Sequence, residues 1–408
     1  MNEQLIVKNF GPIKDATVDF KRVTVFIGPT GGGKSTLAKL KDILLYRRNY
    51  SIDDAVSRHP RFDSLEAYKE HSIINYFQND TYFNYNSKTA HVEYKNGSHY
   101  IGTKSFGPSK VFAIKYSIDS LLQKAKTTKD FEIIRQQLLN ETSEMLNELN
   151  RIETGESARE NFPKLVAPTA PWYIPSERVF VSSLEYSWPG LLRDDIGLPK
   201  NILDFANNFS TSRQKVLELS IEFLNIKYLH QNGQDFIKIP ESETLLRLYE
   251  AASGIQSVTP LLVLLEHLSR NTEQAQSFII EEPELNLYPT AQQGLLNWLV
   301  EKCTKGENDL TITTHSPYIL SHLNLLLYAY QVAEKHPDRR EAVAAIVPEA
   351  SWINPKEFAC YQVENGGVQS LVDEELGLID NNELDGLSGD AADAFDNLIR
   401  LSKGFAIK

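Results

Sequence analysis

The sequence predicts an α/β fold built around a glycine-rich turn and interrupted by one long insertion. Three observations carry this. The apolar run VTVFI (23–27) leads into a glycine-rich turn, and LAKLKDILLYRR beyond it repeats Leu37, Leu40, Ile43 and Leu44 at helical spacing. Two further β-branched runs, SFIIEE and DLTITTH, each end in charged or polar residues, as buried strands do when they deliver side chains to a rim. Between about 50 and 170 the pattern changes, and Pro163, Pro168 and Pro171 close that region before WYIPSERVFV restarts a strand.

Element by element, LIV, ATVDF and VTVFI alternate apolar with polar residues and read as two or three short strands. In the insertion, INYFQNDTYFNYN precedes HVEYKNGSHYIG, a hairpin signal with Asn96-Gly97 suited to a type I′ turn. An amphipathic helix follows, with Ile134, Leu138, Met145 and Leu149 on one face, at about 20 residues too short for a long coiled-coil arm. A helix is expected from about Asn201 to Asn225, then a strand pair around Asn232-Gly233 and the long apolar helix SVTPLLVLLEHL. The end reads as two short strands, an acidic loop and a helix, AADAFDNLIRLSKG. The expected division is a discontinuous head, 1–50 and 171–350, an arm-like insertion, 51–170, and an acidic C-terminal segment, 351–408.

A chain of 408 residues is long enough to bury a sizeable core. Its 41% apolar and 24% charged residues are ordinary for a globular protein, and two cysteines support neither a disulfide framework nor a zinc cluster. A reducing, cytoplasmic setting is expected. The N-terminus lacks the pattern of a signal peptide, and no stretch reaches the roughly 18 apolar residues that span a bilayer, so secretion and membrane insertion are not expected. The net charge of −12 is unevenly placed: residues 351–408 hold 11 acidic against 4 basic side chains, so the global sign says little about a local basic face.

The strongest chemical signal is Gly28-Pro29-Thr30-Gly31-Gly32-Gly33-Lys34-Ser35, followed by Thr36, a full match to G-x-x-x-x-G-K-[S/T] between a strand and a helix. Glycines let backbone N–H groups point inward at phosphate oxygens, and the helix adds its positive end. Lys34 would reach the β- and γ-phosphates, and Ser35 would give a hydroxyl to Mg²⁺. In SFIIEEPEL the strand ends in Glu281 and Glu282, the first carboxylate for the metal and the second to orient or deprotonate a water. DLTITTHSPYIL ends in His315, whose ring could hydrogen-bond a γ-phosphate. Ser253-Gly254, opening the apolar helix, admit two readings: an anion site, or a plain N-cap by Ser253 or Ser257.

The order and type of these motifs resemble ABC-type head ATPases of the SMC, RecF and OLD group. The N-terminal LIVKNFGPIK, EEPELNLYP and TTHSP look like that group's versions. YIPSER (Tyr173 to Arg178), AASGIQ and GLIDNNELDG look more narrowly like ATPase subunits of prokaryotic antiphage systems of Septu, retron-associated and abortive-infection type. The resemblance implies a P-loop head with a mixed sheet, a helical-plus-hairpin insertion and a short C-terminal α/β segment. It implies ATP and Mg²⁺ as ligands, Glu281 as the Walker B acid, Glu282 as catalytic base and His315 as the switch histidine. It also implies a head-to-tail homodimer, or a higher oligomer built from it, in which Ser253 and Gly254 of one copy meet the γ-phosphate held by Lys34 and Ser35 of the other. Glu281 stands where many relatives have aspartate, and Ile255 interrupts the usual signature, which implies slow turnover. Tyr288 stands where the pattern has histidine. For Arg178, phosphate or dimer contact and a salt bridge with Glu177 or another core carboxylate are both open.

Two functions from different classes follow. One is an ATPase whose nucleotide-dependent dimer controls a separate effector, a nuclease or toxin, in antiphage defence; 93 residues follow His315, and they hold no DxD of a nuclease domain. The other is a DNA-maintenance ATPase of RecF or SMC type that clamps nucleic acid. There Lys124, Lys126, Lys129 and Arg135 would meet phosphates, and Tyr76, Phe77, Tyr82, Phe83 and Tyr85 would stack on bases, unless the aromatics are the core of their hairpin. The acidic tail is either a solvated edge or a dock for a basic partner.

Overall fold

The computed structural model describes residues 3–45, 64–87, 90–95, 98–103, 114–117, 170–183, 198–240, 244–270, 275–380, 395, 398 and 399. The chain opens with β1 (Glu3–Phe10), β2 (Ile13–Phe20), β3 (Val23–Ile27) and α1 (Lys34–Leu45). Then come α2 (Ser64–Glu70), β4 (Phe77–Asn86), β5 (Ala90–Lys95), β6 (Ser98–Thr103), β7 (Ile114–Ser117) and β8 (Ala170–Ile174). After a short helix, Val179–Ser183, follow α3 (Lys200–Ser212), β9 (Glu218–Ile221), β10 (Ile226–Gln231), β11 (Gln234–Lys238), β12 (Leu245–Arg247) and α4 (Ser253–Leu268). The remainder comprises β13 (Gln276–Glu281), α5 (Pro289–Cys303), β14 (Asp309–Thr313), α6 (Pro317–Lys335), β15 (Phe358–Glu364) and β16 (Gly367–Ser370).

These strands form three sheets. The central one runs β16-β15-β3-β14-β13-β8, with β15 through β8 parallel and β16 an antiparallel edge, so the sheet is mixed. Strands β3 and β13 are buried at every residue, as a sheet covered on both faces requires. Alternation along β3 sorts its side chains: Val23, Val25 and Ile27 enter a core with α4, α5 and α6, while Phe26 enters a second core with α1, β1 and β2. Strand β15 divides in the same way, Phe358 and Cys360 against Ala359, Tyr361 and Val363.

The second sheet, β2-β1-β4-β5-β6-β7, is antiparallel and lies over that second core. For the described strands between 77 and 117 it corrects the expectation of an arm-like insertion, because β4 pairs with β1 from Gln4↔Asn86 to Phe10↔Phe77 and draws β5 to β7 into the same sheet. The aromatics follow. Phe83 and Tyr85 are fully buried, and Phe77 and Tyr76 pack beside Phe10, with Phe83 stacked on Tyr94 at 4.8 Å between centroids. These four rings are core, so they are not a base-stacking platform; Tyr82 is half-buried. The predicted hairpin is present, with Lys95↔Ser98 pairing across a two-residue link. Asn96 and Gly97 themselves lie outside the described residues, as do the expected helix around Ile134–Leu149 and Lys124, Lys126, Lys129 and Arg135.

The third sheet, β12-β11-β10-β9, corrects another expectation. The helix predicted over 201–225 ends at Ser212, because the chain beyond it changes period: Val216 and Ile221 are buried while Leu217 and Glu218 are exposed, and 218–221 pair with β10. At the other hairpin Asn232 and Gly233 both take positive φ, 53° and 74°, as a primed turn demands. Within the C-terminal segment, β15 lies beside β3 in the central sheet. Both cysteines are buried and free. Among the described residues, no helix is long and apolar enough to cross a membrane.

Candidate functional site

The three motifs meet at one level of the central sheet. Phe26 pairs with Thr313, and Thr313 with Glu281, so the glycine turn after β3, His315 after β14 and the acids ending β13 share one rim. Thr314 N–H donates to the Phe26 carbonyl and draws the rim together. This is the carboxyl edge of a parallel sheet, where loops and helix N-termini converge on ligands.

The turn 28–33 needs glycine for two separate reasons. Gly28 sits at φ 137°, where side chains are strained, and a Cβ there would lie 2.3 Å from the Val363 carbonyl of β15. Gly32 would meet the same carbonyl at 2.5 Å. Strand β15 therefore forms the back wall of the turn. Lys34 is buried; its ammonium donates to the carbonyls of Gly28 (2.9 Å) and Pro29 (3.0 Å). Burial lowers its pKa, against the pull of Glu282, Glu281 and Glu284. Ser35 is exposed and Thr36 buried at the start of α1, and Pro29, Thr30 and Gly31 form the open crest.

Glu281 is buried. The Tyr173 hydroxyl, also buried, is its neighbour on the same face, because Tyr173 pairs with Ile279, two residues before Glu281. Burial, with the Glu281 carboxylate next, raises the Tyr173 pKa well above its ordinary value. Glu282 points elsewhere. It leaves the strand at φ 40°, and its carboxylate lies 3.3 Å from His315 Nε2. Burial and the Lys34 ammonium lower the His315 pKa, while Glu282 pulls the other way.

Two residues not assigned from sequence complete the arrangement. Glu284 is buried, and its Oε1 accepts from the Thr314 hydroxyl (2.5 Å) and the His315 N–H (3.2 Å), fixing the backbone that presents the histidine. Burial raises its pKa. Its signal in the sequence was only a third acid in EEPE, with nothing to show that it turns inward. Arg178 meets neither open reading: it is fully buried and bonded to backbone, Nη1 to the carbonyls of Pro175 (2.8 Å) and Glu281 (2.5 Å), Nη2 to that of Glu282 (2.7 Å).

Ser253 and Gly254 open α4. The N-cap is Ala252, without a side-chain cap, and Ser257 is buried inside the helix, so neither serine is an N-cap. Ser253 is exposed, whereas Gly254 is buried against Asn286, whose carbonyl lies 2.5 Å from where a Cβ would be. The helix start is thus locked to the turn that follows Glu282.

A sequence-family model described as an AAA ATPase domain matches residues 1–165 and 113–320. No protein with a curated description matches the chain. Among solved structures, the SMC head domain from Thermotoga maritima is 12% identical, with 90% of this chain and 97% of that one covered at a TM-score of 0.39. The Smc head domain with an extended coiled coil bound to the C-terminal domain of ScpA, derived from Pyrococcus furiosus, is also 12% identical, at 90% and 95% coverage and 0.36. The recombination mediator protein RecF-ATPrS of the RecFOR pathway is 13% identical, at 91% and 98% and 0.34. Because the family match takes in the glycine turn, the paired acids and His315, the chain belongs to the AAA ATPase domain family and its chemistry is ATP hydrolysis.

Proposed function

We propose that this ATPase works as a nucleotide-gated pair, in which two copies close on ATP and part after hydrolysis. The observation that carries this reading is the convergence of Lys34, His315 and Glu281–Glu282 on one rim across three adjacent strands. Backbone N–H groups of the turn from Thr30 to Ser35, with Thr36, cradle the phosphates, and Lys34 exchanges its carbonyl contacts for the β- and γ-phosphates. Glu282 takes the proton of the attacking water, and His315 holds the γ-phosphate and the Glu282 carboxylate in register. Glu281 and the Ser35 hydroxyl would hold Mg²⁺, which supplies positive charge against the phosphate oxygens. A buried carboxylate at the end of β13, on the rim that carries the glycine turn, fits that role.

The second copy enters through Ser253. An exposed serine at an uncapped helix start offers N–H groups and a hydroxyl to an anion, and the proposed partner ligand is the γ-phosphate on the other copy's Lys34. The pair in turn controls a separate effector protein in antiphage defence, a reading supported by YIPSER, AASGIQ and GLIDNNELDG. A DNA-clamping ATPase of RecF or SMC type shares the same head. Salt-dependent duplex binding by the purified chain alone would favour the clamp; binding only with a co-purifying protein would favour the effector complex.

The experiment is size-exclusion chromatography of Glu282→Gln and Lys34→Ala with ATP and Mg²⁺. Glu282→Gln is expected to bind ATP, hydrolyse it at least about 100-fold more slowly and accumulate as a dimer. Lys34→Ala is expected to lose ATP binding and remain monomeric. Normal hydrolysis by Glu282→Gln would remove its role as base.

A further inference from the structure

We infer that Arg178 is a positioning residue for hydrolysis, whose guanidinium holds the main chain of Glu281 and Glu282 so that the Glu282 carboxylate faces His315. The inference rests on the proposed role of Glu282 as base, and its observations are independent of that role. Glu282 adopts φ 40°, although it carries a Cβ and precedes Pro283, and both features favour extended backbone. Such a conformation persists only where the surroundings impose it.

The surroundings here are few. On one side, Glu282 N–H donates to the Thr313 carbonyl (2.9 Å) and keeps β13 tied to β14. On the other side the ladder ends, because β8 pairs with β13 only as far as Ile174↔Ile280 and Ser176, whose N–H would come next, turns into the 3₁₀ helix Ser176–Arg178. The Glu281 carbonyl would be left without a donor. Arg178, reached through the single 3₁₀ turn Ser176–Arg178, fills the gap. One fork binds three carbonyls in succession, those of Pro175, Glu281 and Glu282, and so ties the end of β8 to the turn that carries both acids.

Lysine cannot replace that fork, since a single ammonium lacks the planar pair of nitrogens that meets the Glu281 and Glu282 carbonyls together. No carboxylate forms an ion pair with Arg178 among the described residues. The full positive charge is therefore spent on peptide oxygens, and Glu281, Glu282 and Glu284 act on it only at longer range. In the strand order the Arg178 turn follows β8, two strands beyond β14 from the glycine turn, and Arg178 is fully buried, so contact with the γ-phosphate would require it to leave its burial.

The test uses the full chain with Arg178→Lys and Arg178→Ala, measuring kcat, KM for ATP and the affinity for a fluorescent ATP analogue. Arg178→Lys is expected to lower kcat about 10- to 100-fold with nucleotide affinity held within about twofold. Millimolar methylguanidinium is expected to restore part of the kcat of Arg178→Ala, and methylammonium at equal concentration none. Wild-type kcat in Arg178→Lys, a parallel loss of nucleotide affinity, or equal rescue by methylammonium would overturn the inference. If Arg178→Ala does not fold, the kcat and affinity of Arg178→Lys decide. Normal turnover by Glu282→Gln would instead remove the base itself, a distinct failure.

Discussion

At the scale of single residues, the site is a set of charges held by backbone. A φ of 40° at Glu282 costs about 1–3 kcal/mol, which local sequence does not favour and which the turn must hold. Glu282 and His315 face each other at 3.3 Å, and the charge on His315 sets the field at the base. Burial and Lys34 lower the His315 pKa from 6.5, so its neutral form persists further into acid than that of a free histidine. Turnover is therefore expected to stay flat between about pH 7 and 8 and to fall only below the ordinary histidine range. A kcat profile whose acid limb lies above pH 7 would contradict this. Lys34, Glu281, Glu282 and His315 were legible because each sits at a fixed place in a strand-and-turn motif. Arg178 was not, because a guanidinium that serves peptide carbonyls leaves no pattern of partner side chains to read.

Elements were legible where one period ran unbroken. Strands β3, β13 and β14 and helix α1 stand where their apolar spacing put them. The helix read through 201–225 failed because VLELSI, which alternates, sits directly after a helical stretch, and only pairing with β10 separates the two. The placement of β4 and β15 was invisible for a different reason. Both are ordinary strands by composition, and their partners, β1 and β3, lie far away in sequence. Long-range pairing is what brought β4 into a sheet with β1 and made β15 the wall behind the glycine turn. The aromatic run makes the sharpest case. Phe83→Ala is expected to destabilise the fold by about 3–5 kcal/mol in urea unfolding, the usual cost of emptying a buried ring site. Wild-type stability combined with weakened nucleic-acid binding would return the ring to a stacking role.

For the whole molecule, the central sheet sets the direction of work. The parallel strands β15, β3, β14, β13 and β8 run the same way, so the glycine turn, the histidine, the acids and the Arg178 turn all emerge on one edge. Ser253 has its own helix start, anchored through Gly254 to the turn after Glu282. In the proposed pair each site therefore takes its P-loop from one copy and its serine from the other, and hydrolysis in one chain depends on the surface of its neighbour. Two-fold pairing makes both sites equivalent. The direct measurement is ATP turnover by a mixture of Lys34→Ala and Ser253→Arg, each expected to be inactive alone, with Ser253→Arg still binding ATP. A mixed pair holds one intact composite site, so mixing is expected to restore turnover that neither variant has. A mixture that stays inactive, or a Ser253→Arg variant that hydrolyses ATP normally by itself, would contradict a shared site.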